Sequence, residues 1–423
     1  MPDDKPYDFG EIGTSGLRRS GGYINEEFLP QLHGVKGFKV YREMQDNDPV
    51  VGAMLYAIDK VITRLEWHIE GEDERTRDFV QSCLDDMSDS WDATLQNILS
   101  MLTYGWSFHE VVYKVRRGST GDARTHSRYS DNRIGWRKWP VRAQETLDEW
   151  ILDERGGIRG MEQMDPSTGT RGLVRIPIEK GLLFRTTTNR NNPEGRSLLR
   201  NAYRPWFYKR RIEEIEAIGI ERDLAGLPIA YVPPEFLSST ASPQQKAVLN
   251  SITEIVQNVK RNEQEGIVFP SAYDEAGNRI FDIHLLSASG GRQFDTGAVI
   301  QRYDQRIAMS LLSDFLLLGS DRVGSFALGT AKIDLWTLAV DSIAKTISEV
   351  VNYHAIPRLL KLNAMRLDKL PYLTYGQVNS IELTEIADFV AKLTTAGVIL
   401  PDTDLETHLR SLADLPDRDA LME

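Results

Sequence analysis

The stretch that decides the fold reads QFDTGAVIQRYDQRIAMSLLSDFLLLG at residues 293–319 and TAKIDLWTLAVDSIAKTISEVVNYH at residues 330–354. In the first segment Ile300, Tyr303, Ile307, Leu311 and Phe315 recur every three or four positions, the period of one helix face. In the second, Ile333, Trp336, Val340, Ile343, Ile347, Val350 and His354 alternate the same steps, a stripe suited to lie along another helix. Between them GSDRVGSFALG, residues 319–329, carries Gly319, Gly324 and Gly329, the residue type that most cheaply leaves regular backbone dihedrals. Two helices and a tip loop form the unit around which the other segments are read.

Working outward, 423 residues suffice for two or three domains and a substantial core. The net charge of −12 argues against a protein that coats nucleic acid indiscriminately, because such binding requires phosphate neutralisation. The charge is uneven. Residues 114–142 hold nine Lys/Arg against two acids, whereas 377–423 hold three against ten, as expected of a subunit that meets partners through different faces. The single cysteine, Cys83, excludes an intrachain disulfide and a cysteine-built zinc cluster, and its setting in RDFVQSCLDDM implies a half-buried, unreactive thiol. The opening MPDDKPYDFGEIG has no charged-then-apolar signal pattern, and no apolar run approaches the ~18 residues of a membrane span. A cytosolic-type protein is expected.

Residues 1–40, rich in Gly, Pro and charge, read as an extended arm. Asp48 and Pro49 open a helix whose apolar face includes Val50, Met54, Ile58 and Ile62, and LEWHIE beyond it alternates like a strand. Arg75–Met87 is a short helix, and Asp89 or Ser90 caps another that carries Trp91, Leu95, Ile98, Leu99 and Leu102. From Tyr104 to Thr188, β-rich runs divided by glycine clusters predict a small antiparallel sheet or barrel. A strong helix follows over Pro205–Leu224. Then come the strand LPIAYVPP, a helix from Ser242 to Asn262 and the strands GIVFP and FDIHLLS, an α/β module set between the two long helices. After His354, Pro357 interrupts the helix, and SIELTEIADFVAKLTTAGV and DLETHLRSLADL form a short acidic helical tail.

The seven histidines show neither HxxxH nor HExxH spacing, so a histidine-built metal site has no support, and His354, continuing an apolar stripe, reads as a satisfied core residue. His109 and Glu110 are adjacent in a strand and face opposite ways, which spoils them as a catalytic pair. Neither GxSxG nor GxxxxGK[ST] occurs, and the five-residue spacing of the loop glycines matches no dinucleotide fingerprint. The basic segment with Trp136 and Trp139 reads either as a nucleic-acid surface or as a hairpin with its tryptophans in the core, the second being favoured. In that case its arginines face water or the acidic C-terminal region of an adjoining copy. Lys209–Glu213 and Arg210–Glu214 are i,i+4 pairs that serve one helix or helices side by side in a ring.

In this order the segments resemble the portal (head-to-tail connector) proteins of tailed bacteriophages, in the subgroup of Mu-like phages. The resemblance is carried by DNDPVVGAMLYAIDKVITRLEWHIEG (46–71), LTYGWSFHEVVYK (102–114), GRSLLRNAYRPWFYKRRIEEIEAIGIERDLAGLPIAYVP (195–233) and GSFALGTAKIDLWTLAVDSIAKTISEVVNYHAIPRLLKLN (324–363). It implies an α+β portal fold with a wing, a two-helix stem, a small α/β clip and a short helical crown. The implied divisions are an N-terminal arm (1–40), a wing (41–195), a first stem helix (196–225), a clip (226–288), a second stem helix (292–318), a tunnel loop (319–329), a post-loop wing helix (330–376) and a short crown (377–423).

The same resemblance implies a non-enzyme without cofactor or metal. Its expected form is a homo-oligomeric ring of twelve subunits at one capsid vertex, assembled in the host cytoplasm and retained in the virion. Double-stranded DNA would be packaged and ejected through it, and the major capsid protein, the terminase large subunit and a head-completion or adaptor protein would be its partners. Ser320, Asp321, Arg322, Val323, Gly324, Ser325 and Phe326 would form the tunnel loop in the DNA channel. Lys209, Arg210, Arg211, Arg302 and Arg306 are candidates for channel-facing or intersubunit contacts on the stem. The crown is short and no long basic C-terminal extension is present, which departs from larger members of the family. Two alternatives from other classes stand beside this reading: a nucleic-acid-processing enzyme using the Trp136–Trp139 segment, and another capsid–tail adaptor.

Overall fold

In the computed structural model, the described residues are 12–165, 172–225, 227–258, 281–286, 295–311 and 326–376, with 273 and 277. They divide into two units, residues 203–307 and the segments on either side of them.

The first unit begins with a minimal hairpin, β1 (Arg19–Ser20) and β2 (Tyr23–Ile24), and helix α1 (Gly34–Asn47). This corrects the expectation of an extended arm. Ile24, Leu32, Phe38, Tyr41 and Met44 are buried, and the Gly22 carbonyl accepts a hydrogen bond from the Trp150 N–H at 3.0 Å. The stripe Phe38, Tyr41, Met44 has helical spacing, but Gly34, Gly37 and three basic residues dilute it in the composition.

Local chemistry accounts for the next helices. The Asp48 carboxylate accepts from the Val50 and Val51 N–H groups at 3.0 and 3.1 Å, and Pro49 sits in the first turn of α2 (Pro49–Arg64), where no N–H is required. Asp73 caps α3 (Glu74–Asp85), and Ser90 caps α4 (Trp91–Tyr104) through the Ala93 N–H at 3.1 Å. Helix α4 stops at Gly105, with φ +94°, where a Cβ would also meet the Glu194 carbonyl at 2.4 Å. Glycine is required there twice over.

The β-rich region forms several small antiparallel sheets. Strand β3 (Trp67–Glu70) pairs with β14 (Tyr372–Tyr375), which is encoded far downstream. Strand β4 (Trp106–Glu110) lies between β11 (Gly181–Arg185) and β7 (Val141–Arg142), and β5 (Val112–Val115) pairs with β6 (Ile134–Lys138). Strands β8 (Leu147–Leu152), β9 (Ile158–Asp165) and β10 (Gly172–Pro177) make a further three-stranded sheet in that order. Trp106, Trp136, Trp139 and Trp150 are all buried, with Trp136 and Trp139 edge-to-face at 5.0 Å and Trp106 and Trp150 likewise.

The second unit holds α5 (Tyr203–Ala225), β12 (Leu227–Tyr231), α6 (Pro243–Asn258), β13 (Asp282–Leu286) and most of α7 (Thr296–Ser310). Ser242 and Gln245 form a reciprocal cap at the start of α6, each accepting the other's N–H. Strands β12 and β13 are antiparallel. The stretch GIVFP and the acidic tail lie outside the described residues.

Back in the first unit, α8 (Phe326–Val350) continues through a π turn at Val351–Ala355 into α9 (Ile356–Leu362). Pro357 therefore does not interrupt the helix. The widened turn ahead of it accommodates a ring that would clash with the carbonyl four residues back and a residue that lacks an N–H. The extra residue also advances the buried stripe. Val340, Ala344, Ile347, Val351, Ala355 and Ile356 are buried, whereas His354 is exposed, correcting its assignment to the core. Cys83 is likewise fully buried rather than half-buried, and burial pushes its thiol up to about 11 despite Arg116 Nη1 at 3.3 Å.

The core of this unit joins Ile58, Ile62, Ile98, Leu102, Trp136 and Trp139 to Val340, Ile347, Val351, Leu359 and Leu360. Within it His109 is completely buried. The Trp139 carbonyl, 2.8 Å from Nδ1, can only accept, so Nδ1 carries the proton and Nε2 accepts from Ser107 Oγ at 2.7 Å. Burial lowers the imidazole pKa from 6.5 to about 4. The unfolded chain then takes up a proton at His109 as the pH falls below 6.5, while the folded chain does so only near 4. The resulting stability loss over that window is on the order of 3 kcal/mol. Replacing His109 with Gln is expected to flatten the fall in unfolding free energy between pH 6.5 and 4 relative to the parent. Identical pH slopes in urea denaturation would contradict the assignment.

Candidate functional site

The enzyme reading is tested first by the one Ser–His contact in the chain's described residues that resembles a nucleophile and base. Ser107 and His109 share a strand face because they are two residues apart, but both are fully buried and Ser107 Oγ also lies 3.1 Å from the Asn97 carbonyl. The pair is packing, closed to a substrate. Glu110, on the other face, pairs with Arg142 and with Lys180. Trp136 and Trp139 are 0% and 2% exposed, so they offer no ring to a nucleobase, as the core reading expects. Among the described residues, no group of three or more His, Cys, Asp or Glu is placed to hold a metal ion, and no helix is long and apolar enough to cross a membrane.

A cleft of about 410 Å³ in the first unit lies between residues 24–41 and 187–200. Arg200 holds Glu27 through two nitrogens there, keeping that carboxyl below its ordinary pKa against the opposing effect of burial. Burial pushes Glu194 on the cleft wall up to about 7. The cleft contains no nucleophile–base pair.

The feature with the clearest architecture is the helix pair α5–α7 of the second unit. Tyr208 stacks on Tyr303 with ring centroids 6.4 Å apart, Lys209 meets Asp304, and Thr296 donates to Glu216. From the 208–303 and 209–304 contacts to the 216–296 contact the position on α5 rises while that on α7 falls, so the helices are antiparallel. Leu227 opposite Leu286 and Tyr231 opposite Asp282 continue the same register into β12–β13. The 23 residues of α5 give a rod of roughly 35 Å, extended by a two-stranded tip.

Of the basic residues selected on these helices, Lys209 was expected to face outward and is instead 3% exposed. Its Nζ lies 2.6 Å from Asp304 Oδ1, a close ion pair off the direction of a linear hydrogen bond, and 3.9 Å from Glu213. It joins the two helices. Arg210 is exposed, pairs with Glu214 at 3.2 Å and lies over the Trp206 ring. Arg211 is exposed, and Arg302 and Arg306, also exposed, flank the Tyr303 ring at 5.5 and 5.8 Å. Ser320, Asp321, Arg322, Val323, Gly324 and Ser325 lie outside the described residues. Phe326 opens α8, so residues 326–329 of the expected tunnel loop are helix. The Lys209–Asp304 junction had no sequence signal beyond charge, because its members lie almost a hundred residues apart.

The chain is similar to known proteins in both sequence and fold. The family model described as the portal protein of Mu bacteriophage matches residues 38–410. The structure resembles a chain in the virion of a native gene transfer agent particle, with TM-score 0.54, 13% identity, and 89% of this chain and 93% of that one covered. It resembles equally a chain in the neck of a native gene transfer agent particle computed with C12 symmetry, with TM-score 0.54, 12% identity, and 89% and 94% coverage. An HK97-family phage portal protein from Corynebacterium diphtheriae aligns at TM-score 0.45 and 12% identity, over 80% and 94% of the two chains. The fold likeness rests on the two gene transfer agent chains.

Truncation of Lys209 to Ala is expected to leave the partly buried Asp304 without its cation and to lower stability by about 2 kcal/mol. Arg210→Ala, at an exposed pair, is expected to change it by about 0.5 kcal/mol or less. Equal effects of the two substitutions on urea unfolding would refute the linking role of Lys209.

Proposed function

Because the chain belongs to the family of the portal protein of Mu bacteriophage, we propose that it is the subunit of a portal ring at one capsid vertex. Double-stranded DNA enters through that ring during packaging and leaves during ejection. The observation that carries the reading is the α5–α7 pair, an antiparallel helical rod that ends in a small α/β tip and returns to its starting unit. Copied around an axis, such rods form the wall of a channel, the stem, with the tip as the clip. The segment before α8, including Ser320–Ser325, is the loop reaching into the channel.

Twelve subunits are proposed, in line with the twelve-fold symmetry applied to the neck that contains a similar chain. The proposed partners are the major capsid protein, the terminase large subunit during packaging and a head-completion or adaptor protein afterwards. The ring assembles in the host cytoplasm and remains in the virion. Its role is mechanical, as container and conduit, with no catalytic step. Charge supports this: a subunit of net charge −12 holds few phosphates, and every phosphate held would slow translocation. Arg302, Arg306 and Arg322 are the basic residues proposed to touch passing DNA, with Arg210 and Arg211 proposed for the contacts between subunits.

Light scattering is expected to show a ring many times the subunit mass of 48.0 kDa. A monomer of that mass at every salt and protein concentration would overturn the proposal. Deleting Asp321–Ala327 is expected to leave rings intact while DNA packaging or retention fails; loss of the rings would make the segment a structural element instead.

A further inference from the structure

The basic segment is not an unstructured charged loop. Its base is pinned by two buried cations. Lys114 Nζ lies 2.9 Å from Asp86 Oδ2, both side chains about 5% exposed, and Arg116 Nη2 lies 3.2 Å from Asp131. Asp86 also accepts from Ser127 Oγ at 2.6 Å and from the Arg128 N–H at 2.9 Å. Backbone hydrogen bonds from Gly118 to Tyr129 and between Arg116 and both Asn132 and Arg133 close the lobe. The Arg116 guanidinium is stacked 4.0 Å from the Tyr129 ring centroid. Burying the Lys114–Asp86 pair and the Arg116 guanidinium costs desolvation energy that must be offset by well-made contacts, and the result is a lobe of fixed shape.

What the lobe presents is positive. Arg117, Arg124, His126 and Arg128 are exposed. Asp122 is engaged by Arg124 at 3.1 Å, Asp131 by the buried Arg116, and Asp86 is consumed inside. Arg117 and Arg128 make no ion pair among the described residues. A nucleic acid would be held here mainly by phosphate contacts, since Trp136 and Trp139 are sealed in the core beneath and the Tyr129 ring is stacked on Arg116. The chain itself supplies the complementary charge. Residues 377–423 carry ten acids against three bases, with Glu382, Glu385 and Asp388 at a spacing of three. Gly376, the last described residue before that segment, lies in the first unit, the unit that carries the lobe, and its N–H bonds the Glu66 carbonyl at 3.2 Å.

We propose that the rigid basic lobe, residues 117–133, is the docking surface for the acidic C-terminal segment, residues 377–423. Complementary charge sets the register of such a contact and makes it sensitive to salt. The proposal stands independently of the portal reading.

Hydrogen–deuterium exchange on the full chain tests it from both sides. One variant carries Arg117→Ser, Arg124→Ser and Arg128→Ser, all at exposed positions. A second carries Glu382→Gln, Glu385→Gln, Asp388→Asn, Asp402→Asn, Asp404→Asn and Glu406→Gln. The lobe changes are expected to speed exchange in peptides from 377–423, and the segment changes to speed exchange in peptides from 117–133. Salt of about 0.5 M, where the screening length falls to roughly 4 Å, should reproduce both losses in the parent chain. Lobe exchange unchanged by neutralising the segment would overturn the proposal. So would a short DNA duplex that protects the lobe equally in the parent and in the segment variant, an outcome that makes the lobe a nucleic-acid surface.

Discussion

Between Val351 and Ala355 the helix accommodates one additional residue in its turn, and the packing of the late helix into the larger core of the first unit depends on that widening. With Pro357 close behind, a regular α-helix would have driven a ring into the Tyr353 carbonyl. The π turn removes the conflict and rotates the stripe so that Val351, Ala355 and Ile356 enter the core built by α2, α4 and β6. It also turns Asn352 toward β14. The Asn352 amide donates to the Leu373 carbonyl at 3.0 Å and accepts the Leu373 N–H at 2.6 Å, so a side chain does the work of a neighbouring strand. Asn363 repeats the device on β6, bonding the Ile134 N–H and carbonyl at 2.9 Å each. Two asparagines thus tie the late helix to strands encoded at opposite ends of the unit.

Polar groups buried inside this unit are partnered, several of them across long stretches of the sequence. Lys114 meets Asp86, Arg116 meets Ser82 and Asp131, and His109 meets Ser107 and the Trp139 carbonyl. Removing one member of such a pair strands the other in low dielectric, which is why these contacts specify an arrangement more than they add stability. Four tryptophans fill the spaces between the small sheets. Their rings make two pairs of edge contacts, Trp106 with Trp150 and Trp136 with Trp139, in place of the one small sheet or barrel that the strand pattern suggests. The second unit is simpler: two antiparallel helices and a two-stranded tip in one register, joined by Lys209–Asp304 and the Tyr208–Tyr303 stack.

Much of this was legible in the residues themselves. The caps at Asp48, Ser90 and Ser242, the helices they open, the strand at Trp67–Glu70 and the two long helices of the second unit all follow from local rules: a short polar side chain before an apolar stripe, and apolar spacing of three and four or of two. The order of segments also carried the family resemblance. Four readings were decided elsewhere. Helix α1 is held by burial of Phe38, Tyr41 and Met44, which composition understates. His354 is turned outward by a π turn that no propensity announces. Lys209 is drawn inward by Asp304, and Phe326 belongs to a helix although glycines flank it. For α1 and Lys209 the competing term is a contact between distant residues, and spacing along the chain cannot express it. The sequence alone determined where helices and strands begin, because capping and periodicity are local. Only the tertiary structure decided which charges are buried and which are offered to a partner, because burial depends on what the rest of the chain brings alongside.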